Sequence, residues 1–204
     1  MLPVWAVKTL AVIAALILSC YAYQRLNAPI TYPPGVLVPT DPVQTETLPN
    51  DNPFEVGRFH LTPLAHFSLD ARVLHRHTYH YDQQSALAPV DLAVGWGRMS
   101  DQAILDQLEI SQSRRFFFYE WTRQPPLEPN EIVCHATNIH LIPSSEPLAG
   151  LCKSLRTGEL IHLDGLLVEA TGPGIGTWRS SLRRTDSGNG ACELLWLEEL
   201  HRLR

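Results

Sequence analysis

The stretch RVLHRHTYHYD, residues 72–82, contains three of the chain's nine histidines together with two tyrosines. Imidazoles bind divalent metal ions and exchange protons near neutral pH, so this stretch predicts either a metal site or a proton-transfer site. Side chains alternate between the two faces of a strand. His75 and His77 therefore share a face with Tyr79. His80 points away from that face, so only the first two histidines are able to bind one ion together.

A complete metal site needs at least one more ligand from another part of the chain. His135 and His140, in HATNIH, are five residues apart and face opposite ways on a regular strand. Either of them, or His162, is suited to join His75 and His77. His75 and His77 are thus the predicted ligands of a divalent metal ion, and no other cofactor is predicted. The alternative is a polar strand face whose hydrogen bonds are satisfied within the protein.

Two short stretches resemble known families. His75 and His77 followed by an acid are similar to the first motif of the cupins. Asp82 stands where that motif has a glutamate, however, and the flanking glycines are absent, so a cupin is rejected. GELIHLDGLLVE, residues 158–169, resembles strands of the small β-barrels of the OB and SH3-like kinds. This resemblance implies no function, because folds of this kind serve many functions.

The segment WRSSLRRTDSGNGACE, residues 178–193, gathers serines and acids around one predicted turn. A serine nucleophile needs a base within hydrogen-bond reach, and a histidine from another strand is suited to supply it. No GxSxG elbow is present, and the glycines fit a tight turn. The candidate catalytic residues of a hydrolase are His75, His77, His135, His140, Ser181, Asp186 and Glu193.

Arginines and tryptophans are the candidate ligand-binding side chains. Arg179 and Arg183, in the same segment, are suited to bind a carboxylate or a phosphate. Trp96 and Trp178 are suited to form an aromatic platform for a ligand. The alternatives are an exposed, hydrogen-bonded hairpin for the arginines and packing in the core for the aromatic rings.

Amino-acid composition and net charge limit the classes of protein that fit this chain. Of the 204 residues, 45% are hydrophobic and 18% are charged, which is typical of a globular chain. The net charge of −5 excludes a general nucleic-acid binder, since such a protein presents a basic face. The four cysteines form no zinc spacing. Cys134 and Cys192 fall on predicted strands, Cys152 falls on a predicted helix, and their pairing stays open.

The N-terminal residues 4–22, VWAVKTLAVIAALILSCYA, are almost entirely apolar and long enough to cross a bilayer as a helix. We therefore predict a transmembrane signal-anchor over residues 1–25. Cleavage after Ala22 and lipidation at Cys20 are the alternatives. The anchor predicts a single-pass protein of a bacterial-type inner membrane, with its C-terminal domain outside the cytoplasm, in the periplasm.

The proline-rich residues 26–54 predict an extended stalk, because proline fixes φ and removes a hydrogen-bond donor. A folded extracytoplasmic domain then follows over residues 55–204. Its alternating strand patterns and closely spaced turns predict an α+β domain, mainly an antiparallel sheet that is curled or partly closed into a small barrel, with two helices.

Local signals place the elements of that domain. A strand is predicted over about 71–81, from its alternation of side-chain types. SDQAILDQLEIS, residues 100–111, predicts one helix. SSEPLAGLCKSLRTG, residues 144–158, predicts the other, with Ser145 as its N-cap. IVCHATNIHLIP, residues 132–143, predicts a further strand.

The absence of a catalytic motif and the presence of a long tether favour a membrane-anchored binding or interaction domain of unknown ligand. Its predicted partners are the membrane, through residues 4–22, and a protein of the cell envelope, with no nucleic acid. An envelope hydrolase with a His/Ser/Asp site and a metal-binding envelope protein are the alternatives. The sequence favours a non-enzyme without deciding the matter, and it leaves the oligomeric state open.

Overall fold

The structure, a computed structural model, describes residues 3–188 and 190–203. This described part contains four α-helices: α1 (Val4–Asn27), α2 (Gln102–Leu105), α3 (Pro129–His135) and α4 (Glu146–Ser154). The same residues contain ten strands: β1 (Val43–Thr45), β2 (Phe54–Val56), β3 (Phe59–Thr78), β4 (Val90–Gly95), β5 (Glu109–Ser113), β6 (Phe116–Glu120), β7 (Ala136–Pro143), β8 (Leu160–Gly172), β9 (Gly176–Arg179) and β10 (Glu193–Arg202). A 3₁₀ turn spans Gly97–Ser100.

Five strands of the described chain pair in a closed ring, in the order β3-β4-β7-β10-β8, because β8 also pairs with β3. The ring pairs are antiparallel except for β7 and β10, which run parallel. Strands β1 and β2 pair with β3, β9 pairs with β8, and β5 and β6 form a separate sheet. The predicted α+β class with a mainly antiparallel sheet is confirmed.

The 20-residue strand β3 joins the two ends of the ring, since it pairs with both β4 and β8. Pro63 lies at a register shift in the pairing with β8, where a residue without an amide donor is tolerated. A second shift, between Val73 and His75, leaves the residue between them without a partner on β4. β3 ends at Thr78, before the predicted end at about 81, so the last residues of RVLHRHTYHYD lie in a loop.

Apolar side chains from every ring strand meet in one buried cluster. Its members include Phe67 of β3, Leu92 of β4, Leu141 of β7, Leu163 of β8 and Leu195 of β10. Burying a large apolar side chain contributes about 1.5–3 kcal/mol. Because all the ring strands share this cluster, its burial stabilises the closed arrangement of the strands.

Helix α4 confirms the predicted helix over residues 144–158, although it ends at Ser154. Ser145 is its N-cap, and the Ser145 side chain accepts a hydrogen bond from the N–H of Leu148. Cys152 and Leu155 belong to the buried cluster, so the helix covers one side of the ring.

Replacing Ser145 with alanine is expected to lower the free energy of unfolding by about 1 kcal/mol, because the N–H of Leu148 loses its acceptor. Urea denaturation of the Ser145→Ala variant tests this. Ser144→Ala is the matched control, since Ser144 is an exposed neighbour that lies before the cap. Equal unfolding midpoints for the two variants would contradict the capping role.

Two predicted elements differ from the structure. The helix predicted over residues 100–111 is limited to α2, because the chain from Glu109 onward pairs in β5 with β6. The strand predicted over residues 132–143 begins only at Ala136. The residues before it form α3, whose first turn contains Pro129, a favoured position for proline.

The predicted transmembrane signal-anchor is wrong. Within the described part of the chain, no helix combines the length and the apolar character that crossing a membrane requires. A spanning helix needs about 20 consecutive, predominantly apolar residues. The predicted location, a single-pass protein of an inner membrane with a periplasmic domain, depended on this anchor and is therefore not supported either.

The proline-rich residues 26–54 were predicted as an extended stalk, but part of this segment packs on the domain. The N–H of Ile30 donates to the carbonyl of Thr157 at 2.8 Å, and Val38 is 3% exposed in the ring cluster. The N–H of Val38 donates to Oγ of Ser100 at 3.0 Å. Strand β1 then pairs with β3. Residues between the prolines retain their backbone N–H groups, and some of these groups donate hydrogen bonds to the folded domain.

Candidate functional site

The β5–β6 hairpin has a two-residue turn, Arg114–Arg115, between the paired residues Ser113 and Phe116. Both arginines have positive φ, 50° and 71°. Two-residue hairpin turns of this kind favour Asn-Gly, because other residues are strained at positive φ. Such strain persists only where the surroundings hold it and is concentrated at functional sites. The turn therefore marks a candidate site.

Two aspartates hold the guanidinium of Arg115. It donates to both carboxylate oxygens of Asp82, at 2.9 and 2.7 Å, and to Oδ1 of Asp91 at 2.9 Å. It also donates to the carbonyl of Ala88 at 2.8 Å. The Asp91 side chain is 0% exposed and that of Arg115 is 10% exposed. The two-pronged contact with Asp82 fixes the plane of the guanidinium.

Two aromatic side chains flank the same guanidinium. The ring centre of Tyr79 lies 3.7 Å from Cζ of Arg115, and that of Trp178 lies 5.7 Å away. The Tyr79 hydroxyl accepts a hydrogen bond from the backbone N–H of Arg115 at 2.9 Å. Burial raises the pKa of Tyr79, which keeps the hydroxyl protonated. These contacts offset the strain of the turn.

His140 lies on the other side of Asp91. Its Nδ1 is 3.0 Å from Oδ1 of Asp91, but no described residue forms a hydrogen bond with Nδ1. The ring centre of His140 is 4.8 Å from that of Trp178. We name the group Tyr79, Asp82, Asp91, Arg115, His140 and Trp178 the Arg115 site.

A row of amides connects this site to the predicted histidine pair. Nδ1 of His75 lies 2.9 Å from Oε1 of Gln112, whose amide nitrogen donates to Oδ1 of Asn138. Asn138 in turn donates to the carbonyl of Arg115 at 3.1 Å. The hairpin is thus fixed to β3 and β7 by buried polar contacts, which specify its position.

Beside the Arg115 site lies a cavity of about 240 Å³, here named the Trp178 cavity. Its described lining consists of Gln84, Arg114, Arg115, Phe116, His140, Trp178, Arg179, Gly190 and Cys192. This lining contains three arginines and one histidine, and none of its described residues is an acid. Arg115 and Arg179 have carboxylate partners outside the cavity wall. Arg114 is exposed and has no ion-pair partner in the described part of the chain.

A second buried acid, Glu193, lies at the start of β10 and is 1% exposed. It accepts a hydrogen bond from the Thr137 hydroxyl and pairs with Arg184. Burial raises the pKa of Glu193 to about 7, although Arg184 and Thr137 oppose the shift. Glu193 therefore changes its charge near neutral pH. Burial likewise raises the pKa of the neighbouring Cys192 thiol to about 12, which makes it a poor nucleophile.

The predicted serine and acid of a hydrolase do lie together. Oγ of Ser181 donates to Oδ2 of Asp186 at 2.6 Å. His135 and His140 have other neighbours, the carbonyl of Glu131 for the first and Asp91 for the second. The described contacts therefore place no histidine beside Ser181, and the hydrolase stays an untested prediction.

The predicted metal pair faces the hairpin. His75 contacts Gln112, and the ring of His77 lies 4.4 Å from that of Tyr79. His162, suggested as a further ligand, pairs instead with Asp70 at 2.6 Å. Among the described residues, no group of three or more His, Cys, Asp or Glu side chains could hold a metal ion.

The predicted ligand-binding residues divide into two pairs. Trp178 and Arg179 line the Trp178 cavity. Trp96 is buried and donates from Nε1 to Asp41 at 3.1 Å, and Arg183 lies exposed in the loop after β9.

The described cysteines are free thiols, so Cys134 and Cys192 form no disulfide bond in this structure.

The central residues of the site, Arg115 and Asp91, were not predicted. The sequence did contain a sign of Asp91's role, because this acid interrupts the otherwise apolar strand β4. All residues of β4 are buried. A buried acid requires a partner. Arg115 had no such signal, because its partners lie far away in the sequence.

Comparisons with protein-family models, with curated proteins and with solved structures found no match.

Proposed function

We propose that this protein is a binding protein whose ligand carries a carboxylate or phosphate group and occupies the Trp178 cavity. The observation that carries the proposal is the composition of the wall, which contains three arginines and His140 and no acid among its described residues. Arginine binds planar anionic groups through paired N–H donors. An anion in the cavity would pair with Arg114, which has no ion-pair partner in the described part of the chain.

The two arginines of the turn have different parts in this proposal. Arg115 is already bound by Asp82 and Asp91, so it forms a rigid part of the wall. Arg114 is exposed and unpaired, so it is the cation most available to a ligand. The hydrogen bonds that fix the turn hold Arg114 at the edge of the cavity beside Phe116, and such preorganisation reduces the cost of binding.

The aromatic residues favour a ligand with a flat apolar portion. Trp178 and Phe116 both line the cavity, and aromatic faces pack well against planar groups. We regard the closed ring of five strands as a small barrel that supplies a rigid frame for the site. A protein partner of this domain, predicted from the sequence, remains a prediction.

Replacing Arg114 with glutamine is expected to weaken binding of benzoate, a planar carboxylate, by about tenfold, because one charge-assisted contact is lost. Calorimetric titration of the full chain with benzoate measures this. Benzyl alcohol has the same ring without the charge, so its weaker binding is expected to be unchanged by the substitution.

Arg58→Gln is the matched control, since Arg58 is an exposed arginine outside the cavity. Titration with inorganic phosphate separates an anion site from one specific for carboxylates. The proposal fails if neither benzoate nor phosphate binds the wild type, or if Arg114→Gln binds both as well as Arg58→Gln does.

A further inference from the structure

A second cavity, of about 310 Å³, lies between the N-terminal segment, β3 and the turn after α2. It shares no lining residue with the Trp178 cavity. Leu74, Leu105, Leu108 and Ile110 supply much of its wall. The polar residues of this wall are Arg72, Gln102, His75, Thr31 and Thr157. The cavity is large enough for a small ligand.

Arg72 is the unusual residue of this wall, because it is 3% exposed and yet lacks an acidic partner among the described residues. Its guanidinium donates to the carbonyl of Ser100 at 3.0 Å, to the carbonyl of Ile30 at 3.3 Å and to Oε1 of Gln102. These acceptors are all neutral. The carboxylates of Asp101 and Asp106 attract this charge but form no ion pair with it. Burying a charge without a counter-charge in direct contact is costly, so the position is suited to an anion.

One hydrogen-bond donor of Arg72 also lacks an acceptor among the described residues. Nε is buried and has no hydrogen-bond partner in the described structure. Buried polar groups are nearly always satisfied, and one that is not requires an explanation. Arg72 lines the adjoining cavity, so an anionic acceptor there would compensate the charge, and a shift of the side chain toward it would satisfy Nε as well.

We propose that this cavity binds a monocarboxylate with an aliphatic chain, whose carboxylate pairs with Arg72 and whose chain packs on Leu105, Leu108 and Ile110. A single unpaired cation balances one negative charge. A phosphate dianion would leave a second charge in the same apolar surroundings, where desolvation is costly. This site is independent of the Trp178 cavity, since it depends on different residues.

The probe is sodium hexanoate, titrated into the full chain, with hexan-1-ol as the uncharged probe of equal chain length. Hexanoate is expected to bind more tightly than the alcohol and to shift the NMR signal of the Arg72 Nε–H, which gains an acceptor. In Arg72→Met, hexanoate binding is expected to weaken about ten- to hundredfold, while hexan-1-ol binding is retained.

Three control variants make the outcome decisive. Arg58→Met removes an exposed arginine and is expected to leave both probes unaffected. Arg114→Gln is expected to retain hexanoate binding, which distinguishes this site from the Trp178 cavity. Ile110→Trp fills the cavity without removing Arg72 and is expected to abolish binding of both probes, so it tests the site even if Arg72→Met fails to fold.

The proposal is overturned if hexanoate binds no better than hexan-1-ol, or if it leaves the Arg72 signal unshifted. It is equally overturned if Arg72→Met or Ile110→Trp binds hexanoate as the wild type does. Tighter binding of hexyl phosphate than of hexanoate would also contradict it, because the site is inferred to take one negative charge.

Discussion

Replacing Arg115 with methionine is expected to lower the free energy of unfolding by about 3–5 kcal/mol, the usual cost of removing one member of a buried ion pair. The reason is Asp91, whose side chain is fully buried and whose contact with the Arg115 guanidinium at 2.9 Å supplies a compensating charge. The variant also loses the contact with Asp82 and the packing against the ring of Tyr79. Fewer contacts would then offset the strain of the two-residue turn at positions 114 and 115.

Urea denaturation of Arg115→Met and of Arg98→Met measures this effect. Arg98 pairs with Glu131 at 3.5 Å and is 54% exposed, so its replacement is expected to cost no more than about 1 kcal/mol. Adding Asp91→Asn to Arg115→Met should recover part of the loss, because the buried charge is removed with its partner. Equal losses for Arg115→Met and Arg98→Met would refute the central role of Arg115.

The second large effect concerns pH and Glu193. Burial raises the pKa of Glu193 from 4.5 to about 7, so the folded protein retains this proton at pH values where the unfolded chain releases it. The stability that the protonated acid contributes is fully present below about pH 4.5 and is lost as the pH rises through about 7. The wild type is therefore expected to lose about 3 kcal/mol relative to Glu193→Gln between pH 4 and pH 8.

The measurement is the free energy of unfolding as a function of pH for both proteins. Glutamine keeps the shape of the protonated acid and cannot ionise, so its curve lacks this contribution. Glu199→Gln serves as the control, since Glu199 is exposed beside His201 and its curve should follow that of the wild type. Parallel curves for the wild type and Glu193→Gln across this range would show that the Glu193 proton is not retained on folding.

Local patterns predicted those features whose causes lie within a few residues. Helix α4 was predicted because Ser145 and the residues that follow it supply the cap and the apolar stripe on their own. The closeness of His77 and Tyr79 was also predicted, because alternation along one strand decides which side chains are neighbours. Both predictions required no knowledge of the rest of the chain.

The local signal was misleading where packing against distant residues decided the structure. Residues 100–111 have the apolar spacing of a helix, but those from Glu109 onward pair with β6 instead. The prolines of residues 26–54 suggested a stalk, yet Val38 contributes to the ring cluster. In each case tertiary contacts outweighed local propensity.

The sequence by itself determined the α+β class and the helix α4, because composition and short-range periodicity carry that information. Only the tertiary structure decided where the site lies. The ring closes through pairs such as Ala65 with Leu167, and Arg115 meets Asp82 and Asp91 across loops of the chain. Burial is a property of the folded whole, so neither the uncompensated charge of Arg72 nor the raised pKa of Glu193 follows from neighbouring residues alone.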